Sequence, residues 1–282
     1  MSAPHAIACI SSHVARGTVG NRAAAFACEA LGHPVWSVPT VLLPWHPGQG
    51  PGTRMVWPAE GFSNLLEDLA TSSQLGEIGG VLSGYFGDAS QAQAVARLVD
   101  AVKRVSPRAL YCCDPVMGNA RGLYVPEPTA RAIRDHLVPR ADILTPNRHE
   151  LSWLTGGVGS DDNAGLAVAA RGLGPARVLV TSAHAGAPGR TGNLLVTRER
   201  ALMAEHDLVD APDSGTGDLT AALLLSRLVA GEDDETALLR STASVLDAIR
   251  AEAMRGVDEL PLEAVRDALV RPQSAVDLIE AG

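Results

Sequence analysis

The chain has 282 residues, 46% of them hydrophobic, and a formal net charge of −9. This composition supplies apolar material for one large core and excludes a disordered or fibrous chain, while the scattered placement of its 23 Lys and Arg residues argues against a nucleic acid partner. Lys103 is the only lysine, so a phosphate-binding loop of the Walker A type, which needs one, is excluded as well.

The beginning of the chain and its cysteines indicate the compartment. Residues 1–5 pass directly into a short apolar run, without the basic start and long apolar core of a signal peptide. No apolar run approaches the ~20 residues that span a bilayer. Cys9, Cys28, Cys112 and Cys113 form no CxxC pair and are typical of buried thiols in a reducing compartment. We therefore expect a cytoplasmic protein with no membrane partner.

Short β-like runs alternate with helical stretches through the first two thirds of the chain. This alternation predicts an α/β fold with a mostly parallel sheet covered by helices on both faces. The predicted strands are Ala6–Ile10, Val35–Val38, Gly80–Ser83, Ala109–Cys113, Ile143–Thr145 and Arg177–Thr181. Asn193–Thr197 and Ala201–Glu205 are predicted to follow as an antiparallel hairpin at the edge of the sheet. We expect one domain over residues 1–282.

The last quarter of the chain carries apolar residues at three- and four-residue spacing. This spacing predicts helices over Thr216–Leu228, Glu235–Met254 and Leu262–Leu269.

Four irregular segments interrupt these elements, and ligands of open α/β sheets bind where such loops converge. They are Ser11–Gly20, Pro44–Pro58, Pro115–Pro128 and Asp210–Gly215. The composition of Pro44–Pro58, rich in proline and glycine, predicts a flap that covers a site.

The sharpest local motif is Asp213–Asp218, immediately before an apolar helix. Gly215 and Gly217 let backbone N–H groups face an anion at the helix mouth, where the helix dipole favours negative charge. Asp218 falls in the first turn and is able to accept a proton from a hydroxyl held there. The alternative is that the glycines only form a loop and Asp218 only complements the dipole.

Polar residues follow two other predicted strands. Asp114 ends an apolar run and should face the ligand crevice, although Asp-Pro is also a common turn. Asn147 and Glu150 are three residues apart, so both can offer oxygens to a hydrated Mg²⁺. They also match a helix N-cap with its capping-box partner, and the two interpretations are compatible.

The string Ser214–Asp218 resembles the anion-hole signature of the ribokinase superfamily, in which the closing aspartate is the catalytic base. Further blocks, in the family's order, make the chain similar to the pyridoxal kinases: Ser12–Val14, Gly17, Gly20–Asn21, Leu82–Tyr85, Cys113–Gly118, Thr145–Asn147 and Glu150. The resemblance implies a ribokinase-like three-layer α/β/α sandwich. It also implies a homodimeric enzyme that uses ATP and Mg²⁺ to phosphorylate the 5′-hydroxymethyl group of pyridoxal, pyridoxine or pyridoxamine in vitamin B6 salvage.

The same resemblance implies roles for individual residues. The catalytic residues would be Asp218, Gly215 and Gly217. The nucleotide side would comprise Asp114, Thr145, Asn147, Glu150, Thr181, His206, Asp207, Leu208, Val209 and Thr216, with Asp114 and Glu150 also holding the metal. The acceptor side would comprise Ser12, His46, Pro47, Tyr85 and Asp218. Pro47 and Gly48 stand where these kinases often have a threonine and a polar residue, so a hydroxyl contact to the substrate is missing.

Two alternatives remain open. Another ribokinase-like kinase, acting on hydroxymethylpyrimidine or a sugar, would share the mechanism and differ in the acceptor. A non-catalytic protein that holds pyridoxal phosphate or a nucleotide would keep the fold without turnover. A serine hydrolase built on Ser214 is disfavoured because the chain lacks a GxSxG elbow.

Overall fold

Strands and helices alternate along the first part of the chain, as the sequence predicts. The computed structural model describes residues 5–157, 161–211 and 214–281. Its elements as far as the middle of the sheet are β1 (Ala6–Val14), α1 (Asn21–Ala30), β2 (Val35–Leu43), β3 (Met55–Val56), α2 (Ala59–Ala70), β4 (Ile78–Ser83), α3 (Ala89–Val105) and β5 (Leu110–Cys113).

The second part adds a small hairpin, the remaining sheet strands and the long C-terminal helices. These elements are β6 (Gly118–Asn119), β7 (Gly122–Leu123), α4 (Glu127–Ala132), β8 (Ile143–Leu144), α5 (Arg148–Leu154), α6 (Asn163–Arg171), β9 (Arg177–Val180), β10 (Arg190–Val196), β11 (Ala201–Asp207), α7 (Thr216–Val229), α8 (Asp234–Arg255), α9 (Arg266–Val270) and β12 (Asp277–Glu280).

Among the described residues, ten strands form one sheet in the order β12-β11-β10-β9-β8-β5-β4-β1-β2-β3. The six strands from β9 to β2 run parallel, whereas β10, β11 and β12 on one side and β3 on the other each pair antiparallel with their neighbours. The predicted α/β fold with a mostly parallel central sheet is confirmed.

Strand β1 shows how the sequence builds two apolar layers. Because successive side chains of a strand point to opposite faces, Ile7 and Cys9 pack with α1 and α7. Ala8 and Ile10 pack with α2 and α3 on the other face. A strand buried on both faces reads as a continuous apolar run. Full burial of an Ile or Leu side chain contributes about 1.5–3 kcal/mol, so the two layers together fix the sheet between its helices.

The structure corrects several boundaries. Strand β1 continues to Val14, through polar residues that the apolar pattern assigned to a loop. The hairpin β10–β11 is antiparallel as predicted, but it is not at the edge, because β12 pairs with β11 outside it. The predicted helix Leu262–Leu269 is shorter: α9 begins at Arg266, since the buried Leu262 lies in a turn before it.

The predicted flap leaves the sheet after β2 and returns to it at β3. Between them lies a 3-10 turn at Pro47–Gln49. Val41 and Leu42 pair with Val56 and Met55, so the flap is anchored at the sheet edge. No helix in the described part of the chain is long and apolar enough for a membrane span.

Candidate active site

The carboxyl ends of the parallel strands bring the predicted residues to one edge of the sheet. Asp114 follows β5, Thr145 follows β8 and Thr181 follows β9. The Thr145 hydroxyl donates to Asp114 Oδ1 at 2.9 Å. Thr181 forms an isolated parallel bridge with Asn147. These contacts join Thr145 to Asp114 and Thr181 to Asn147 at the carboxyl ends of neighbouring strands, where the loops of such a sheet converge.

Asp218 lies in the first turn of α7, and its surroundings are built by glycines. Gly215 precedes the helix with a φ of 86°, in the left-handed region that favours glycine. A Cβ on Gly215 would also come within 2.4 Å of the Thr18 carbonyl oxygen. A side chain is therefore excluded at Gly215 on two grounds, whereas Gly217 has no atom within 4 Å of a Cβ.

The Asp218 carboxylate is held by the loop that follows β1. The Gly20 N–H donates to Asp218 Oδ2 at 2.8 Å, and a Cβ on Gly84 would lie 3.7 Å from Oδ1. Burial raises the pKa of Asp218 to about 6, although the bond from Gly20 opposes the shift. A carboxylate with this pKa is ionised at neutral pH and retains useful basicity, which suits a general base.

The acceptor-side residues Ser12 and Tyr85 lie around the same two glycines. Ser12 is buried in β1, and its backbone and hydroxyl oxygens would lie 2.2 and 2.4 Å from a Cβ on Gly20. The Tyr85 N–H donates to Ser11 Oγ at 3.0 Å, immediately after Gly84. Ser12, next to Gly20, and Tyr85, after Gly84, therefore belong to the two backbone segments that flank the Asp218 carboxylate.

His46 and Pro47 lie on the flap. His46 Nδ1 accepts a hydrogen bond from the Gly48 N–H at 3.2 Å, so the imidazole caps the 3-10 turn. Pro47 is exposed. Their predicted contact with an acceptor stays a prediction.

Glu150 and Asn147 form the capping box that the sequence allows. Asn147 Oδ1 accepts from the N–H groups of His149 and Glu150. Glu150 Oε2 accepts from the Asn147 N–H at 2.9 Å, and Oε1 accepts from Met117 and Gly118 at 2.9 and 3.3 Å. Both carboxylate oxygens thus bind backbone. Their role as metal ligands stays a prediction.

Three carboxylates share this edge of the sheet, and none of them forms a salt bridge with a cation among the described residues. Burial, followed by the charges of Asp218 and Glu150, raises the pKa of Asp114 well above its ordinary value. Burial raises the pKa of Glu150 to about 7, against the opposing effect of its backbone hydrogen bonds. Within the described residues, no group of three His, Cys, Asp or Glu side chains is arranged to hold a metal ion. The concentrated negative charge nevertheless fits a divalent cation that takes its other ligands from phosphate and water.

The stretch predicted to line the nucleotide spans the end of β11, since His206 and Asp207 are its last two residues. His206 is buried, and burial lowers its pKa. Leu208 is 63% exposed, and its N–H donates to the Gly189 carbonyl oxygen at 2.8 Å. Asp207 is exposed, Val209 is partly buried, and Thr216 begins α7. Asp213, the first residue of the predicted motif, lies outside the described residues. The nucleotide contacts stay predictions.

Sequence reasoning missed Tyr124, which follows the hairpin β6–β7. Its N–H donates to the Met117 carbonyl oxygen at 3.0 Å. Although Tyr124 is 52% exposed, partial desolvation and the nearby charges of Glu150, Asp114 and Asp218 raise its pKa, so the phenol remains a hydrogen-bond donor. The only available signal was an aromatic residue within the polar segment Pro115–Pro128.

A separate cavity of about 560 Å³ lies on the outer side of α5. His149, Trp153 and Arg131 are among its lining residues, but none of the predicted site residues is. The predicted site residues therefore lie at the strand ends and do not line this cavity.

Comparison with known proteins gives consistent matches. Residues 74–263 match the family model described as phosphomethylpyrimidine kinase. The curated pyridoxal kinase of Rubrobacter xylanophilus is 40% identical over 269 residues, which cover 93% of this chain and 93% of that protein. The pyridoxal kinase of Corynebacterium diphtheriae is 35% identical, and the match covers 94% of this chain and 95% of that protein.

Solved structures extend the similarity to three dimensions. Pyridoxal kinase from Leishmania donovani, in complex with ADP and pyridoxamine, matches with a TM-score of 0.91 and 28% identity. The match covers 99% of this chain and 100% of that chain. The stretch that matches the family model includes Asp114, Glu150 and Asp218.

Proposed function

This chain belongs to the phosphomethylpyrimidine kinase family, and we propose that it is an ATP-dependent pyridoxal kinase. It transfers the γ-phosphoryl group of ATP to the 5′-hydroxymethyl group of pyridoxal, pyridoxine or pyridoxamine, in vitamin B6 salvage. The proposal is supported by relatives of this activity that match nearly the whole chain. It is also supported by the likeness to a kinase bound to ADP and pyridoxamine.

The observation that carries the proposal is the placement of Asp218. Its carboxylate lies at the mouth of α7 between Gly20 and Gly84, beside Ser12, with a pKa of about 6. A hydroxyl brought to this point would meet a base that is ionised at neutral pH. The backbone of the Gly215–Gly217 turn lies next to it, where charge develops during transfer.

The transfer step is an in-line displacement. The acceptor oxygen bonds to the γ-phosphorus, the bond from that phosphorus to the bridging oxygen breaks, and ADP leaves. The hydroxyl proton passes to Asp218. Because the transition state is loose and its charge lies on the equatorial oxygens, positioning and electrostatic stabilisation supply most of the acceleration.

Mg²⁺ is the cofactor we assign to the donor side. Asp114 and Glu150 would hold it through their carboxylates, consistent with their burial and missing cationic partners. When bound, Mg²⁺ supplies positive charge to the phosphates. Thr145, Asn147 and Thr181 would complete the phosphate side, with Thr216 beside them. The stretch 206–209 would line the nucleotide.

The proposal also covers organisation. Residues 1–282 would form one ribokinase-like kinase domain whose flap, Pro44–Pro58, covers the acceptor. The enzyme would act as a homodimer in the cytoplasm, without nucleic acid or membrane partners.

A second acceptor has support from particular observations. The matching family model is described as phosphomethylpyrimidine kinase, and Pro47 offers no side-chain hydroxyl to a B6 vitamer. Hydroxymethylpyrimidine is therefore the competing acceptor, with the same mechanism.

ATP consumption by the purified protein with Mg²⁺ tests these assignments. The panel contains pyridoxal, pyridoxine, pyridoxamine, hydroxymethylpyrimidine and ribose. We expect the largest kcat/KM with a B6 vitamer. A preference for hydroxymethylpyrimidine would transfer the proposal to that acceptor, and tight vitamer binding without turnover would replace the kinase by a binding protein.

A further inference from the structure

The loop of residues 15–20 connects the acceptor strand β1 to α1 and contacts several remote parts of the chain. At its far end, the Gly20 N–H binds Asp218. In its middle, Thr18 packs against Gly215 through its carbonyl oxygen and donates from its hydroxyl to the Leu260 carbonyl oxygen at 3.0 Å. The loop therefore links the catalytic end of α7 to the segment that follows α8.

The beginning of the same loop holds the root of the flap. The Ala15 N–H donates to the Leu43 carbonyl oxygen at 2.9 Å, and the Arg16 N–H donates to the Pro44 carbonyl oxygen at 2.9 Å. These bonds extend the pairing of β1 with β2 into the flap. The first residues of the flap are thereby fixed to the backbone beside Ser12.

The Arg16 side chain reaches the flap turn and the C-terminal segment at the same time. Its Nη1 donates to Gln49 Oε1 at 2.8 Å and lies 2.6 Å from Glu259 Oε1. Its Nη2 lies 3.0 Å from Asp258 Oδ1. Gln49 Nε2 in turn donates to Asp258 Oδ2 at 3.1 Å. One guanidinium thus ties the 3-10 turn that follows His46 to two carboxylates more than 200 residues away in the chain.

The other end of the flap has its own attachment. Arg54 Nη2 donates to the Gly87 carbonyl oxygen at 2.5 Å, just beyond Tyr85. Between the two attachments, residues 51–53 are exposed. The flap is therefore fastened near both of its ends, with exposed residues between the two attachments.

We propose that Arg16, Gln49, Asp258 and Glu259 form a latch that holds the flap closed over the bound acceptor, with Arg16 as a positioning residue for the acceptor. This inference rests on the proposed kinase function. Arg16 and Asp258 are more than half exposed, and exposed ion pairs are individually weak and sensitive to salt. A weak latch suits a flap that must open in every turnover.

The test compares Arg16→Gln with the wild-type enzyme and a matched control. Arg131→Gln removes an equally exposed guanidinium that pairs with Glu127 on α4, away from the flap. We expect Arg16→Gln to raise the KM of the acceptor about three- to tenfold, the scale of one or two exposed pairs. The KM of ATP and kcat should change less than twofold, because Gly20 still holds Asp218.

The salt dependence of the acceptor KM distinguishes the latch from a merely structural role. Screening shortens from about 10 Å at 0.1 M to about 3 Å at 1 M ionic strength, so the acceptor KM of the wild type should rise with salt towards that of Arg16→Gln. The acceptor KM of Arg16→Gln should change less with salt concentration. The charge-exchanged double variant Arg16→Glu/Glu259→Arg should recover part of the loss.

Trypsin cleavage after Arg54 reports flap opening without any substrate. We expect faster cleavage there in Arg16→Gln than in wild type or Arg131→Gln, at equal thermal stability. Gln49→Ala, which removes only the flap side of the latch, should give the same pattern if Arg16→Gln fails to fold.

Equal acceptor KM and equal cleavage in Arg16→Gln and Arg131→Gln would overturn the latch. A parallel rise in the KM values of acceptor and ATP, together with a loss of thermal stability, would also overturn it, because it would show a general structural role. If the wild type phosphorylates none of the acceptors, the proposed function fails, whereas the cleavage rates still decide whether the latch holds the flap.

Discussion

The beginnings of α5 and α7 carry the same feature with opposite consequences. Each helix has a carboxylate at its third residue, Glu150 in α5 and Asp218 in α7, at the same edge of the sheet. Glu150 accepts three backbone hydrogen bonds and closes a capping box with Asn147. The residue before α7 is Gly215, which has no side chain that could form such a box, and Asp218 accepts one hydrogen bond, from Gly20.

The position of a carboxylate within its helix therefore does not decide its role. The residue before the helix and the number of donors aimed at the carboxylate decide it. Glu150 accepts hydrogen bonds from the backbone of the Met117–Gly118 segment, whereas Asp218, with one bond from Gly20, keeps lone pairs for the proton transfer that we propose. Four experiments test this difference between the two helices.

Replacing the base should have the largest effect. Asp218→Asn keeps the shape of the side chain and removes its basicity, so kcat should fall about 10²–10⁴-fold. The dissociation constant of ATP should stay within about threefold, because the donor-side residues are untouched. Single-turnover kinetics and nucleotide titration measure the two quantities. Asp68→Asn, an exposed change on α2, is the control, and undiminished turnover in Asp218→Asn would remove Asp218 from the mechanism.

The pH profile of kcat/KM should follow the ionisation of the same group. Burial raises the pKa of Asp218 to about 6, and only the ionised carboxylate accepts a proton. The rate should therefore fall about tenfold per unit below that pH and level off above it. Measurement from pH 5 to 8.5 with saturating ATP checks this. A rate that stays constant down to pH 5 would contradict the assignment.

Removing the other carboxylate should cost stability. Glu150→Ala leaves the N–H groups of Met117, Gly118 and Asn147 without their acceptor. Unsatisfied buried donors cost about 1–3 kcal/mol each when water does not replace the partner. Urea denaturation should show a free energy of unfolding that is lower by an amount in this range for Glu150→Ala and unchanged for Asp218→Asn. Equal losses in the two variants would erase the distinction between the helices.

Neutralising the third carboxylate should stabilise the protein slightly. The folded pKa of Asp114 is raised above its unfolded value, so its ionised form opposes folding once the pH exceeds that unfolded value. Asp114→Asn should raise Tm at pH 8 by about 2–4 °C and by less at pH 5, while turnover falls. Thermal unfolding scans recorded without nucleotide and metal test whether Tm rises or falls. A lower Tm at pH 8 would show that the charge is compensated in the folded state.

The pattern of neighbouring residues in the sequence predicts much of the fold and part of the site. The continuous apolar run of β9 and the glycine before α7 are visible in the local sequence. The capping box of α5 is equally local. These features were predictable because each depends on side chains only a few residues apart.

The remainder depends on contacts between distant residues. Gly20 and Asp218 are 198 residues apart, and nothing in either segment indicates that the first donates to the second. Strand β12 is four residues long and forms only by pairing with β11. Likewise, Ser11 and Ser12 read as the start of a loop, but the pairing of Ser11 and His13 with β2 keeps the segment in a strand. Tertiary pairing overrides local preference at these points.

Strand β12 also has a consequence for the order of assembly at the ribosome. It is synthesised after every other described strand, so β11 must present an unpaired edge until residues 277–280 leave the exit tunnel. That edge is apolar along residues 201–204, and such edges invite pairing with other nascent chains. Once docked, β12 places the exposed carboxylates of Asp277 and Glu280 on the outer rim, where charge discourages further strand addition.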